Sequence, residues 1–111
     1  MKILLDECLP IDLRHSFSAH EAHTAEWAGL KGTKNGELLD AAERAGYQVL
    51  LTMDQGVEHQ QNLTNRRIAL LVLVARSNQL EDLRPIVPEA LIALEAMGPG
   101  TVIRVGASLP S

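Results

Sequence analysis

Apolar residues follow two rhythms in this chain: short unbroken runs, and longer stretches in which they recur every three or four positions. Lys2 to Leu5 is a short run that stops at Asp6-Glu7. Pro10 suits the first turn of a helix in which Leu9, Leu13 and Phe17 recur at four-residue intervals, so the opening reads as strand, then helix. Ala22 to Ala25 is a weakly marked second strand, and Trp27 to Lys34, with two glycines, is a loop. Asn35 is placed to cap a helix over Gly36 to Ala45, with Leu38, Leu39, Ala42 and Ala45 inward and Gly46 as its stop. Gln48 to Thr52 (QVLLT) is a third strand, ending at Met53-Asp54. Residues 55–65, QGVEHQQNLTN, hold few apolar anchors and predict a loop with a short helix. Ile68 to Val74 (IALLVLV) is apolar throughout, as in a parallel strand covered on both faces, and is expected at the middle of the sheet. Leu83, Val87, Leu91, Leu94 and Met97 form a helical stripe over Leu80 to Met97, with Pro85 and Pro88 marking a break or first turn. Gly98-Pro99-Gly100 then turns the chain into a last strand, Thr101 to Val105.

Strands alternating with helical segments imply an α/β fold, because parallel neighbours need helical crossovers. The expectation is a three-layer domain with a mainly parallel sheet of about five strands. At 111 residues, the chain has room for one such domain spanning 1–111, its last few residues a disordered tail. No repeat, low-complexity tract or linker interrupts it.

Composition narrows the function classes. Hydrophobic residues make up 46% of the chain, enough for a packed interior rather than disorder. Cys8 is the lone thiol, so no intramolecular disulfide forms, and no secretory-signal pattern opens the chain; a cytoplasmic location is expected. The run Ile68 to Ala75 falls far below the roughly 20 apolar residues a membrane helix needs, so no membrane association is expected. A net charge of −4 argues against broad binding to phosphate backbones, which relies on Lys and Arg. It leaves room for a nuclease, because acids gathered at a metal site make the metal-free protein look more negative than the loaded one. Aromatics are only 3% of residues, which excludes a surface built of base-stacking platforms.

The acids carry the candidate chemistry. In an open parallel sheet, functional groups gather beyond the carboxyl ends of the strands. Asp6 and Glu7 follow the first strand, Glu37 opens the helix after the second, and Asp54 follows the third, so all belong to one edge. Carboxylates converging there repel one another unless a cation joins them, and oxygen-only ligation suits Mg²⁺ or Mn²⁺. Successive extended residues face opposite ways, which makes Asp6 the ligand and leaves Glu7 to buttress it, touch the neighbouring loop, or join the ion after a sharp turn. Each acid also has an ordinary use. Glu37 suits the positive end of a helix, Asp54 suits a turn, and Asp6 or Glu7 could cap the first helix.

Other polar residues are less telling. His15, His20, His23 and His59 lack paired zinc spacing and read as solvated surface; Cys8 has no base beside it and reads as packing. His59 to Asn62 (HQQN) is an amide cluster that either orients a substrate, through Gln61 and Asn62, or caps a helix. Lys31, Lys34, Arg66 and Arg67 are the candidate phosphate contacts near this edge, or else a solvated face. Trp27 is either a partner contact or a plug of the core.

The segments LLDECLP, KNGELLDAAERAGYQVLLTMDQG, QQNL, RRIALLVLVARSN and DLRPIVPEALIAL resemble the small bacterial PIN-like proteins related to VapC-type toxin nucleases, over Met1 to about Val105. The resemblance implies a PIN-like fold and a Mg²⁺- or Mn²⁺-dependent ribonuclease, often the toxin half of a toxin–antitoxin pair. By position it puts the family's catalytic and metal-binding acids on Asp6, Glu37 and Asp54. RNA, a cognate antitoxin and a second copy of the chain are then the partners to expect. Where such nucleases carry a fourth acid late in the chain, Ala75-Arg76-Ser77-Asn78 has none, and Glu58 and Glu7 are the acids available to stand in. The chain is also shorter than typical toxins, with little room for a helical clip around an antitoxin. Two other readings remain: an inactive PIN-like binding module, which the missing acid favours, and a phosphorelay receiver, which lacks the Lys it needs after the last strand because no Lys follows Lys34.

Overall fold

The computed structural model describes residues 1–106, with the side chains of Asn35, Glu58, His59 and Gln60 left out; the tail expected at the C-terminus lies outside the described residues. Five strands form one parallel sheet: β1 (Lys2–Leu5), β2 (Glu21–Thr24), β3 (Val49–Thr52), β4 (Ala69–Val74) and β5 (Val102–Gly106). Their order is β2-β1-β3-β4-β5. The middle strand is therefore β3, not the wholly apolar β4. Continuous apolarity reports cover on both faces, and every strand inside a three-layer fold has that cover whatever its place.

Alternation along the strands divides the core. Ile3, Leu5, Val49, Leu51, Leu71 and Leu73 pack on one face with Leu13 and Phe17 and with Leu83, Ala90 and Leu94. Leu4, Leu50, Leu70 and Val72 pack on the other face with Leu38, Leu39, Ala42 and Val57. The first set of covering residues comes from a 3₁₀ helix (Ile11–Phe17) and from the segment after β4, the second from α1 (Asn35–Arg44) and α2 (Gln55–Gln60). Three layers result, with the sheet between them.

Local chemistry explains the element ends. The expected first helix is 3₁₀ rather than α: Leu13 N–H bonds back three residues to the Pro10 carbonyl, and Asp12, His15 and Ser16 are weak formers of helix interior. Its stripe survives, with Leu13 and Phe17 buried. The cap of α1 falls on Lys34, in extended backbone, so Asn35 is the first helical residue and not the cap. At the other end, Gly46 adopts φ 86°, with Gly46 N–H on Glu43 O and Tyr47 N–H on Ala42 O, a Schellman stop. The prolines divide the expected long helix into α3 (Leu80–Leu83), a 3₁₀ turn (Arg84–Ile86) and α4 (Val87–Ala96). No helix among the described residues is long and apolar enough to cross a membrane.

The connections have one unusual property. The chain passes from β1 outward to β2, and from β4 outward to β5 in the opposite direction, with both crossovers on the same face. Crossovers on one face that travel in opposite directions have opposite hands, so one of them departs from the strong right-handed rule.

Candidate metal and phosphate site

The sheet order reverses between β1 and β3: from β1 the chain goes to β2 on one side, from β3 to β4 on the other. A crevice opens beyond the carboxyl ends at such a switch point. A cavity of about 280 Å³ lies there, lined by Asp6, Glu7, Cys8, Thr33, Lys34, Leu38, Leu50, Asp54 and Val57.

Asp6 is held from three directions. Its backbone N–H continues the ladder to Leu51 O at 2.9 Å, its Oδ1 accepts from Glu7 N–H at 2.8 Å, and its Oδ2 accepts from Thr52 Oγ1 at 2.7 Å. The Thr52 oxygen also accepts the Asp54 N–H at 3.0 Å. A single hydroxyl thus joins the acid after β1 to the segment carrying the acid after β3. Thr52 is 0% exposed and is the one buried polar residue among those described. Sequence reasoning passed over it, since a threonine ending a strand is ordinary; the available signal was a hydroxyl between two strand-end acids on neighbouring strands.

Asp54 is exposed and begins α2, its Oδ1 accepting from Gly56 N–H at 2.8 Å. Its ordinary reading, a turn and cap residue, is thus realised alongside its place on the cavity. Glu7 reaches the neighbouring loop, where Oε1 accepts from Gly32 N–H at 3.2 Å. Lys34 stands at the start of α1 and brings a positive charge to the same cavity.

The remaining expected residues lie elsewhere. Glu37 is exposed in the first turn of α1 and does not line the cavity. Gln61 ends α2 with its amide oxygen against Gly36, where an added Cβ would meet it at 3.0 Å. Asn62 accepts from Thr64 N–H at 2.9 Å and shapes a turn. Arg66 is committed to α1, its Nη1 2.7 Å from both Asp40 Oδ1 and Glu43 Oε1, rather than to the cavity. Glu58 lies on α2, its side chain among those left out.

Burial pushes the Cys8 thiol above its ordinary range, and the Asp6 charge adds to this against the lowering contact with the Met53 backbone. Both effects favour the protonated thiol, a poorer nucleophile than the thiolate, and Cys8 lines the cavity. His23 is not simple surface. It is half-buried, its ring stacked on Trp27 with centroids 4.0 Å apart and its Nδ1 2.8 Å from the Tyr47 hydroxyl.

Among the described residues no group of three or more His, Cys, Asp or Glu is assembled closely enough to hold a metal ion. Mg²⁺ keeps several waters and is commonly held by one or two carboxylates plus substrate phosphates, a donor set that Asp6 and Asp54 match in kind. Compared with protein-family models, curated proteins and solved structures, the chain matches none.

Proposed function

We propose that this protein is a PIN-like, Mg²⁺- or Mn²⁺-dependent endoribonuclease, the toxin half of a toxin–antitoxin pair, acting at the cavity between β1 and β3. The observation that supports this most is the meeting of Asp6 and Asp54 at the switch point, tied through Thr52. Asp6 and Asp54 would hold the ion, which when bound polarises a phosphoryl oxygen and acidifies a water. Thr52 and the Glu7 N–H fix the Asp6 carboxylate in advance, so that it needs no reordering when substrate arrives. Lys34 contacts a non-bridging phosphate oxygen. Hydrolysis adds water to phosphorus, and the 3′-oxygen leaves with a proton.

One observation favours a second reading, an inactive PIN-like module that binds RNA or a partner: no three-acid group is preassembled, and Glu37 stands off the cavity. A phosphorelay receiver fits less well. Its architecture winds all crossovers in one hand, whereas here the two on the face shared by the 3₁₀ helix and α4 differ in hand.

The deciding experiment is Mn²⁺-dependent cleavage of single-stranded RNA. Asp6→Asn and Asp54→Asn should each lower the rate by about 100-fold or more, consistent with several kcal/mol of charge stabilisation. Glu37→Gln should cost less than about tenfold, as expected of a residue outside the cavity. Undiminished cleavage by both Asp variants would remove the site. Mn²⁺ binding with no cleavage of any RNA would select the inactive module.

A further inference from the structure

Trp27 is 69% exposed, which settles its two sequence readings against a plug of the core. It is nevertheless firmly placed. Its backbone N–H bonds Thr24 Oγ1 at 3.1 Å, and the following turn is closed by Ala28 N–H on Thr24 O and Leu30 N–H on Ala25 O. One face of the indole is covered by His23, inclined at 29°. His23 is itself fixed by its bond to the Tyr47 hydroxyl, and the Tyr47 ring carries Lys2 Nζ 4.6 Å from its centroid. An indole backed on one side and bare on the other is a preorganised stacking surface, which binds a flat ring without first losing side-chain freedom.

Shared lining residues link this surface to the proposed site. The switch-point cavity shares Asp6 and Glu7 with a neighbour of about 200 Å³. That neighbour shares Ile11, Thr24 and Glu26 with a third cavity, of about 300 Å³, which Trp27 lines. Lys31 lines the second cavity and Arg14 the third, so cations accompany the path among its acids.

We propose that this path is a single-stranded RNA track in which a nucleobase of the bound strand, away from the cleaved phosphodiester, stacks on the exposed indole of Trp27, with Arg14 and Lys31 contacting phosphates. The proposal rests on the nuclease reading above and adds a base-binding subsite to it. Stacking tolerates any base, because every base has a π face, so the subsite sets affinity and register rather than sequence. A single platform also agrees with the low aromatic content, which excludes only a surface of many.

Trp27 is the chain's only tryptophan, so its fluorescence reports the subsite directly. The wild-type protein in EDTA and low salt is titrated with an oligouridylate and with an abasic oligomer of equal length. Saturable quenching by the first alone is expected. Trp27→Ala should weaken oligouridylate binding about 5- to 150-fold by anisotropy, while Trp27→Phe restores most of it. In the Mn²⁺ assay, Trp27→Ala should raise KM for RNA and leave cleavage of a small phosphodiester, bis-p-nitrophenyl phosphate, unchanged. Unchanged fluorescence, or unchanged RNA affinity in Trp27→Ala, overturns the subsite; if Mn²⁺-dependent cleavage persists, the nuclease reading stands, and Trp27 belongs to a protein contact. Quenching without cleavage keeps the subsite and removes the nuclease.

Discussion

Thr52 shows how much of a site one hydroxyl can organise. It has no charge, yet it satisfies the Asp6 carboxylate and the Asp54 N–H together inside a site where no buried side-chain oxygen or nitrogen among the described residues lacks a partner. Thr52→Val keeps the shape and removes the Thr52 partner of both groups. It should lower stability by about 1–3 kcal/mol in urea unfolding. Mn²⁺ affinity should fall as well, because Asp6 is then free to turn, whereas Thr52→Ser should retain both properties. A loss of stability without any loss of affinity would show that the hydroxyl serves packing alone. Asp6 and Asp54 were readable in the sequence because an acid directly beyond an apolar run stands out. The placements of Glu37 and Arg66 were not: the first depends on how α1 is rotated, and the second on Asp40 and Glu43, 26 and 23 residues earlier in the chain.

The elements themselves were largely readable, since short runs, a four-residue stripe, glycines and prolines are local signals. Strand positions held to within a residue, and Gly46 stopped α1 as expected. What failed was the 3₁₀ character of the first helix and the α1 cap, both decided by backbone details that apolar periodicity does not encode. Between elements, the pin that fastens α1 to the segment before β4 is testable by pH. Burial alone would raise the Glu43 carboxyl, but the Arg67 N–H, the Arg66 guanidinium and the Ile68 N–H together outweigh it and hold the group below the usual carboxylate range. A depressed folded value means that the stabilisation is complete above the unfolded value and fades as pH falls through the folded one. Glu43→Gln should therefore be about 1 kcal/mol less stable than wild type at pH 7, with that gap constant down to about pH 5 and closing below about pH 4.5. A gap that persists unchanged at pH 3 would assign the loss to shape rather than to charge.

For the molecule as a whole, the layered α/β class followed from the alternation of runs and stripes, but strand order did not. Placing β3 in the middle, and turning two crossovers of one face in opposite hands, depends on which neighbours close the core together, and no window of sequence contains that choice. Strand order nonetheless decides the candidate site, because β1 beside β3 puts Asp6 and Asp54 on one cavity. The arrangement carries a thermodynamic signature of its own. An ion that binds the folded chain and not the unfolded one raises stability by about 2.7 kcal/mol at 100 times its dissociation constant. For a domain of this size that is about 10 °C in the melting midpoint. Wild type should show such a rise with saturating Mn²⁺ relative to EDTA. Asp54→Asn should not, although its midpoint in EDTA should match wild type: asparagine caps a helix as well as aspartate, so the bond from Gly56 N–H survives, and one of the two carboxylates lining the cavity is neutralised. The variant therefore removes the proposed ligand without removing the cap. An equal Mn²⁺ shift in both proteins would put the ion elsewhere on this acidic chain, and no shift in either would mean that the two acids are structural or need RNA phosphate to complete the site, which moves the inactive module to first place.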